Sequence, residues 1–172
     1  MLVILLYIFI AITGIQFIYF LLIFSRFSFT KNKKNNIENN TPVSVIICAK
    51  NEADNLKENL PLILNQKHPN FEVVLINDVS NDETLDVMEF FKEKHNNIKI
   101  VNVRNNETFW GSKKYALTLG IKASSHEQLL LTDADCKPNT DQWISTMSAN
   151  FSEKKKFILG YGAYEKKKNS FL

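Results

Sequence analysis

The chain has 172 residues, 45% hydrophobic and 23% charged, with a formal net charge of +3. That balance excludes a disordered polypeptide, and the length allows one ordinary domain plus an appendage. Two cysteines are too few for a disulfide framework, and no interleaving of basic and aromatic residues points to nucleic acid.

The apolar residues are unevenly placed. Leu2 to Phe24 holds no charged side chain, and only Thr13, Gly14 and Gln16 interrupt it. At about 1.5 Å per residue, such a run crosses the roughly 30 Å hydrocarbon core of a bilayer. A cleaved signal peptide would open with basic residues, carry a shorter apolar stretch and end in small residues, none of which fits here. A buried core helix would show a polar stripe. Residues 1–25 therefore read as a transmembrane helix. Arg26, Lys31, Lys33 and Lys34 follow the span, whereas only the terminal amine precedes it. Basic flanks tend to stay in the cytoplasm, so the expectation is a single-pass inner-membrane protein with a cytoplasmic soluble part and reduced cysteines. Lys154 to Lys156 and Lys166 to Lys168 form either a lipid-facing basic surface or simply solvated lysines.

Residues 26–41, rich in Lys and Asn, read as a linker. From Pro42 strand and helix signals alternate. Val43 to Cys48 is a β-branched run suited to a strand buried on both faces. Asn51 to Gln66 reads as a helix with Leu56, Leu60, Ile63 and Leu64 on one face and Pro61 as a candidate kink. Phe71 to Asn77 is a second strand. Ser80-Asn-Asp-Glu83 matches a capping box for a helix with Leu85, Met88 and Phe91 inward. Ile98 to Val103 is a third strand, Ser112 caps a helix to about Ala123, and Gln128 to Thr132 is a fourth strand. Thr140 caps a helix to about Phe151, and Lys156 to Gly162 reads as a fifth strand. His68, His95 and His126 have no zinc-like spacing and read as surface or loop residues.

This alternation predicts an α/β fold with a largely parallel sheet, in which ligands bind beyond the carboxyl ends of the strands. Asn51 and Glu52 follow strand one, Asp78 ends strand two, and Asp133 and Asp135 follow strand four, so one crevice would gather them. Two carboxylates one residue apart after a strand can both face a hard cation such as Mg²⁺ or Mn²⁺, which takes oxygen ligands shared with phosphates. Alone, the pair reads better as turn or helix-entry aspartates, and its position after Leu129 to Thr132 is what raises the cation reading. No G-x-G-x-x-G follows strand one, which argues against dinucleotide chemistry.

Four segments in order carry a more specific signal. Pro42 to Glu52, Val74 to Thr84, Gly111 to Leu117 and Leu131 to Asp135 resemble the family 2 glycosyltransferases of the GT-A fold, over the chain from about Thr41 onward. The resemblance implies a three-layer GT-A-like sandwich over residues 42–172, forming the nucleotide-sugar-binding part of the domain. It further implies that Ala49, Asn51 and Glu52 line the nucleoside pocket and that Asp78 accepts a hydrogen bond from the base, which suits uracil. Lys113 would lie near the diphosphate, Asp133 would contact the sugar or ribose, and Asp135 would bind Mg²⁺ or Mn²⁺. Asn51 could instead cap its helix, and Lys113 could be a solvated lysine.

The implied reaction is transfer of a sugar, with inversion, from a UDP-linked donor to a glycan or lipid-linked acceptor. Its general base belongs to a motif downstream of D-x-D, expected beyond Leu172. Glu165, in a Glu-Lys-Lys-Lys context, is not assigned to that role. The chain therefore reads as a truncated, donor-binding portion, or alternatively as an inactive membrane-anchored nucleotide-binding module.

Overall fold

The computed structural model describes residues 2–28, 40–103 and 113–163. The chain divides into two compact units, Met1–Asn36 and Ile37–Leu172.

The first unit holds α1, Leu2–Ser28, whose stretch Leu2–Ser25 is long and apolar enough to cross a membrane. It is apolar on every side, so it presents no stripe to a protein core. Thr13 returns its hydroxyl to the Phe9 carbonyl at 2.9 Å, which satisfies that group inside the helix.

The second unit alternates β1 (Val43–Ala49), α2 (Ala53–Leu64), β2 (Phe71–Asp78), α3 (Thr84–Lys94), β3 (Ile98–Val103), α4 (Lys113–Ala123), β4 (Gln128–Asp133) and α5 (Trp143–Ser148). The strands form one parallel sheet in the order β3-β2-β1-β4. Because β1 and β2 have neighbours on both sides and cover on both faces, nearly every residue in them is buried. This is why they read as continuous apolar runs rather than alternating ones.

Alternate strand positions feed two cores. Val43, Val45, Ile47, Val73 and Leu75 pack against Leu56, Leu60 and Ile63 of α2, Val87 and Met88 of α3, and Ile144 of α5. Ile46, Val74 and Ile76 pack on the opposite face with Ala116 of α4. The result is the expected three-layer arrangement. Gly120 sets how close α4 comes: a Cβ there would collide with the Ile76 side chain and lie 3.2 Å from Ile46 Cγ2.

Several expectations are corrected. The helix expected over Asn51–Gln66 is the shorter Ala53–Leu64, with Pro61 inside it between the buried Leu60 and Ile63. The capping box does not form: α3 begins at Thr84, its N-cap Glu83 makes no side-chain cap bond, and Ser80 is turned to another loop. The inner face of α3 is Val87 and Met88 with Phe91 packed against the core, as expected for Met88 and Phe91, while Val87 takes the place expected for Leu85. The helix expected from Thr140 to Phe151 is only Trp143–Ser148. His68 is not a surface residue. It is 6% exposed, with its ring nitrogens 3.2 Å from Ser145 Oγ and 3.0 Å from the Thr41 carbonyl.

The fifth strand is absent. After the small bridge between Ser152 and Lys155, residues 156–162 pair with no strand among the described residues, and Phe157, Leu159 and Tyr161 are exposed. Alternating apolar side chains favour a pleated strand only when a neighbour supplies backbone partners. The proposed Ser112 cap and Glu165 lie outside the described residues.

Candidate functional site

The sheet order locates a crevice before any side chain is considered. From β1 the chain runs through α2 to β2 and on to β3, then returns across the sheet to place β4 on the other flank of β1. The sheet order thus reverses beside β1, and the crevice beyond the carboxyl ends of the strands at such a reversal is where open α/β sheets bind ligands. A cleft of about 260 Å³ lies there, lined by Cys48, Ala49, Lys50, Glu52, Asp78, Lys113, Asp133, Ala134 and Asp135. Of the seven residues expected at the site, all but Asn51 line this cleft.

The Asp133-Ala-Asp135 loop has an inside and an outside. Ala134 is buried and its carbonyl accepts a 3.0 Å hydrogen bond from Asn59 Nδ2, an amide held in the core by α2. The Cys136 N–H closes the turn on the Asp133 carbonyl at 3.2 Å. With Ala134 directed inward, both flanking carboxylates are exposed.

The two carboxylates are not equivalent. Lys113, the first residue of α4, places Nζ 2.6 Å from Asp133 Oδ1. That hydrogen bond is the main reason the lysine pKa is raised, so its ammonium form is held. Asp135 forms no ion pair among the described residues and has only a 3.5 Å contact from Cys136 Sγ. A cation entering the cleft thus meets one carboxylate already neutralised and one open.

No group of three or more His, Cys, Asp and Glu gathers into a metal cage among the described residues. The open oxygens of Asp135, with Asp133 beside it, instead fit an ion of the Mg²⁺ or Mn²⁺ kind. Such ions take one or two carboxylates and complete their shell with water and substrate phosphates.

At the other end of the cleft Asp78 is 8% exposed, and its carboxylate accepts no hydrogen bond among the described residues. That carboxylate is open to the cleft rather than sealed in the core, and so stands available to a donor on a ligand. Glu52 faces the same space, with Oε2 held by Asn55 Nδ2 at 2.5 Å. Asn51 is directed elsewhere: its Oδ1 accepts the Asn81 N–H at 2.8 Å, across the gap between two loops. It does not cap α2 either, since Glu52 occupies the N-cap position. Cys48 was not anticipated in the cleft. Burial, the largest influence on its thiol, raises the pKa, so it is neutral and unsuited to act as a nucleophile.

A parallel sheet with carboxylates and a lysine gathered beyond the carboxyl ends of its strands defines an α/β domain with a polar cleft. The sequence profile described as "Glycosyl transferase family 2" matches residues 44–171, and the chain belongs to that family. It is 34% identical over 130 residues to an uncharacterized glycosyltransferase of Haemophilus influenzae, covering 74% of this chain and 38% of that protein. It is 31% identical over 112 residues to a poly-beta-1,6-N-acetyl-D-glucosamine synthase of Staphylococcus epidermidis, covering 65% of this chain and 25% of that one. The chain thus spans between a quarter and two fifths of the length of these relatives.

Among solved structures, a Pyrobaculum calidifontis mannosyltransferase in complex with GDP-Man and Mn²⁺ superposes with a TM-score of 0.66 at 24% identity, over 81% of this chain and 41% of that one. S. aureus TarS in complex with UDP gives 0.55 at 27% identity, over 63% and 31%. The architecture is that of the GT-A glycosyltransferases.

Proposed function

We propose that this chain forms the donor-binding side of an inverting glycosyltransferase that takes a sugar from a UDP-linked donor. The observation that carries this reading is Asp78, an acceptor without a partner at one end of a cleft whose other end holds Lys113, Asp133 and Asp135. A nucleotide sugar has a matching order: a base with an imide N–H, a diphosphate, then the sugar. The UDP complex of TarS and the N-acetylglucosamine polymer named for the S. epidermidis relative favour uridine and a glycan acceptor, with a lipid-linked acceptor as the other candidate.

On this reading Asp78 and Glu52 hold the nucleoside against Ala49, while Lys113 offsets diphosphate charge. Asp133 touches the sugar or ribose once Lys113 turns toward phosphate. Asp135 would hold a divalent cation, Mn²⁺ or Mg²⁺, which would supply Lewis-acid stabilisation of charge on a diphosphate leaving group. The acceptor hydroxyl needs a carboxylate base. Each carboxylate that lines the cleft already has another task on this reading, so none of the described cleft residues is assigned as that base.

The test is nucleotide binding to the purified chain in detergent. UDP is expected to bind more tightly than CDP, whose base lacks the imide donor. Loss of one charged hydrogen bond costs about 1.5–3 kcal/mol, so Asp78→Ala weakens UDP binding by roughly ten- to a hundredfold. Equal affinity of wild type and Asp78→Ala for UDP would remove Asp78 from the site.

We further propose that α1 anchors the protein in the inner membrane with the catalytic unit in the cytoplasm, on the strength of its length and the lysines that follow it. Protease added outside intact cells is then expected to spare residues 42 onward, and cleavage there would reverse the orientation.

A further inference from the structure

The loops after β1 and β2 are bound to each other more than to the helices they begin. The Asn51 N–H donates to Ser80 Oγ at 3.0 Å, and the Asn81 N–H donates back to Asn51 Oδ1 at 2.8 Å. The next two amides follow suit: Glu52 N–H donates to Thr84 Oγ1 at 2.8 Å, and Ala53 N–H to Asp82 Oδ2 at 3.3 Å. Two of the orphan donors at the start of α2, the Glu52 and Ala53 N–H groups, are thus satisfied by side chains of the neighbouring loop rather than by a cap of their own.

The far loop is fixed in turn. Asp82 Oδ1 accepts the Thr84 N–H at 3.0 Å, and Asn77 Oδ1 accepts the Ser80 N–H at 3.2 Å while its amide donates to Asn102 on β3 at 2.9 Å. Both loops also hold a residue in the left-handed region, Asn51 at φ 56° and Val79 at φ 54°. For a β-branched valine that conformation is strained, and it persists only where the surroundings impose it. Each lies beside a cleft residue: Asn51 precedes Glu52, and Val79 follows Asp78.

We infer that Thr84, Asp82 and Asn51 are positioning residues, which lock the two loops together so that Glu52 and Asp78 are set for the nucleoside before it arrives. The inference rests on the proposed nucleotide site and adds to it the element that pre-forms it. It also has a consequence for phosphate. In many α/β nucleotide sites the diphosphate sits on the helix N-terminus after the first strand. Here two of those N–H groups, of Glu52 and Ala53, are taken up by the clamp, which shifts the binding of a diphosphate toward Lys113 in the cleft.

Thr84 is fully buried and does not line the cleft, so it separates positioning from contact. Thr84→Val keeps the shape and removes the acceptor for the Glu52 amide, and Thr84→Ser keeps the acceptor. Two readouts are made on the detergent-purified chain: UDP affinity with Mn²⁺ by calorimetry, and amide hydrogen exchange of Glu52, Ala53 and Asn81 without nucleotide. In Thr84→Val, exchange is expected to quicken in both loops and UDP affinity to fall about five- to tenfold, with Thr84→Ser close to wild type. Should Thr84→Val fail to fold, Asn51→Gly keeps the left-handed backbone and removes only the acceptor for Asn81; the same paired response is expected. Native UDP affinity in a folded Thr84→Val, or tighter binding as freed N–H groups capturing phosphate would give, overturns the inference alone. A wild-type chain that binds no UDP overturns the site reading and the inference with it.

Discussion

Asp135→Asn is expected to leave UDP bound no more tightly with Mn²⁺ than without it. In the unsubstituted chain the cation is expected to tighten binding, because held by the open carboxylate of Asp135 it would offset the charge of the diphosphate. Asn keeps the size and one oxygen but loses the charge, and Asp133, paired with Lys113 at 2.6 Å without ligand and turned to the sugar or ribose when donor is bound, does not replace it. Loss of even a supporting partner of a metal ligand costs about 10–100-fold in metal affinity, and loss of the ligand charge at least as much. Lys113→Met makes the contrast. It releases Asp133 to the cation, so apparent metal affinity rises while UDP affinity without metal falls. Titrating Mn²⁺ into both variants, with and without UDP, reads the two effects separately. Equal UDP affinity with and without Mn²⁺ in the unsubstituted chain would return Asp133 and Asp135 to the role of turn residues.

The parts of the site that were legible in the sequence were those fixed by strand endings. Ala49, Asp78 and Asp133 close β1, β2 and β4, and an apolar run followed abruptly by a carboxylate marks a strand exit whatever the tertiary fold. The alternation of strands and helices then implied one shared edge. Less legible was anything that depends on which loop faces which. Ser80 and Glu83 have the spacing of a capping box, but Ser80 Oγ is taken by the Asn51 amide and Glu83 by Lys57 at 3.1 Å. Local spacing cannot reveal a partner 29 residues away. Asn59 shows the same limit, since an amide on the inward face of α2 looks like an interruption until its bond to Ala134, 75 residues on, is seen. Residues 156–162 have strand composition, yet no neighbouring strand meets them among the described residues. Propensity describes a residue's fit to a sheet and not the presence of one.

Acid is expected to weaken the fold through a residue that carries no sequence signal at all. Glu72, at the end of the sheet opposite the cleft, is 7% exposed. Burial alone would raise its pKa, but the Ser125 N–H, the Ser44 hydroxyl at 2.6 Å and the Lys99 ammonium at 3.0 Å outweigh it, lowering the value from 4.5 to about 2. The network ties β1, β2, β3 and the α4–β4 connection together, since Ser44 Oγ also accepts the His126 N–H at 3.2 Å. The linkage has a definite sign. A carboxylate with a depressed folded-state pKa contributes its full stabilisation above the unfolded value and loses it as pH falls toward the folded one. The window here runs from about pH 4.5 down to about 2. A shift of this size corresponds to about 3 kcal/mol, reduced to about 2 because the Lys99 amine is 43% exposed and screened. Glu72→Gln retains an acceptor for Ser125 but turns an amide toward Lys99. It is expected to lose about 2 kcal/mol at pH 7 and to show little further loss between pH 5 and 3. Denaturant unfolding of both proteins in detergent at pH 7, 5 and 3 supplies the comparison. Parallel acid profiles for wild type and Glu72→Gln would assign the acid sensitivity to other carboxylates and leave Glu72 with a packing role.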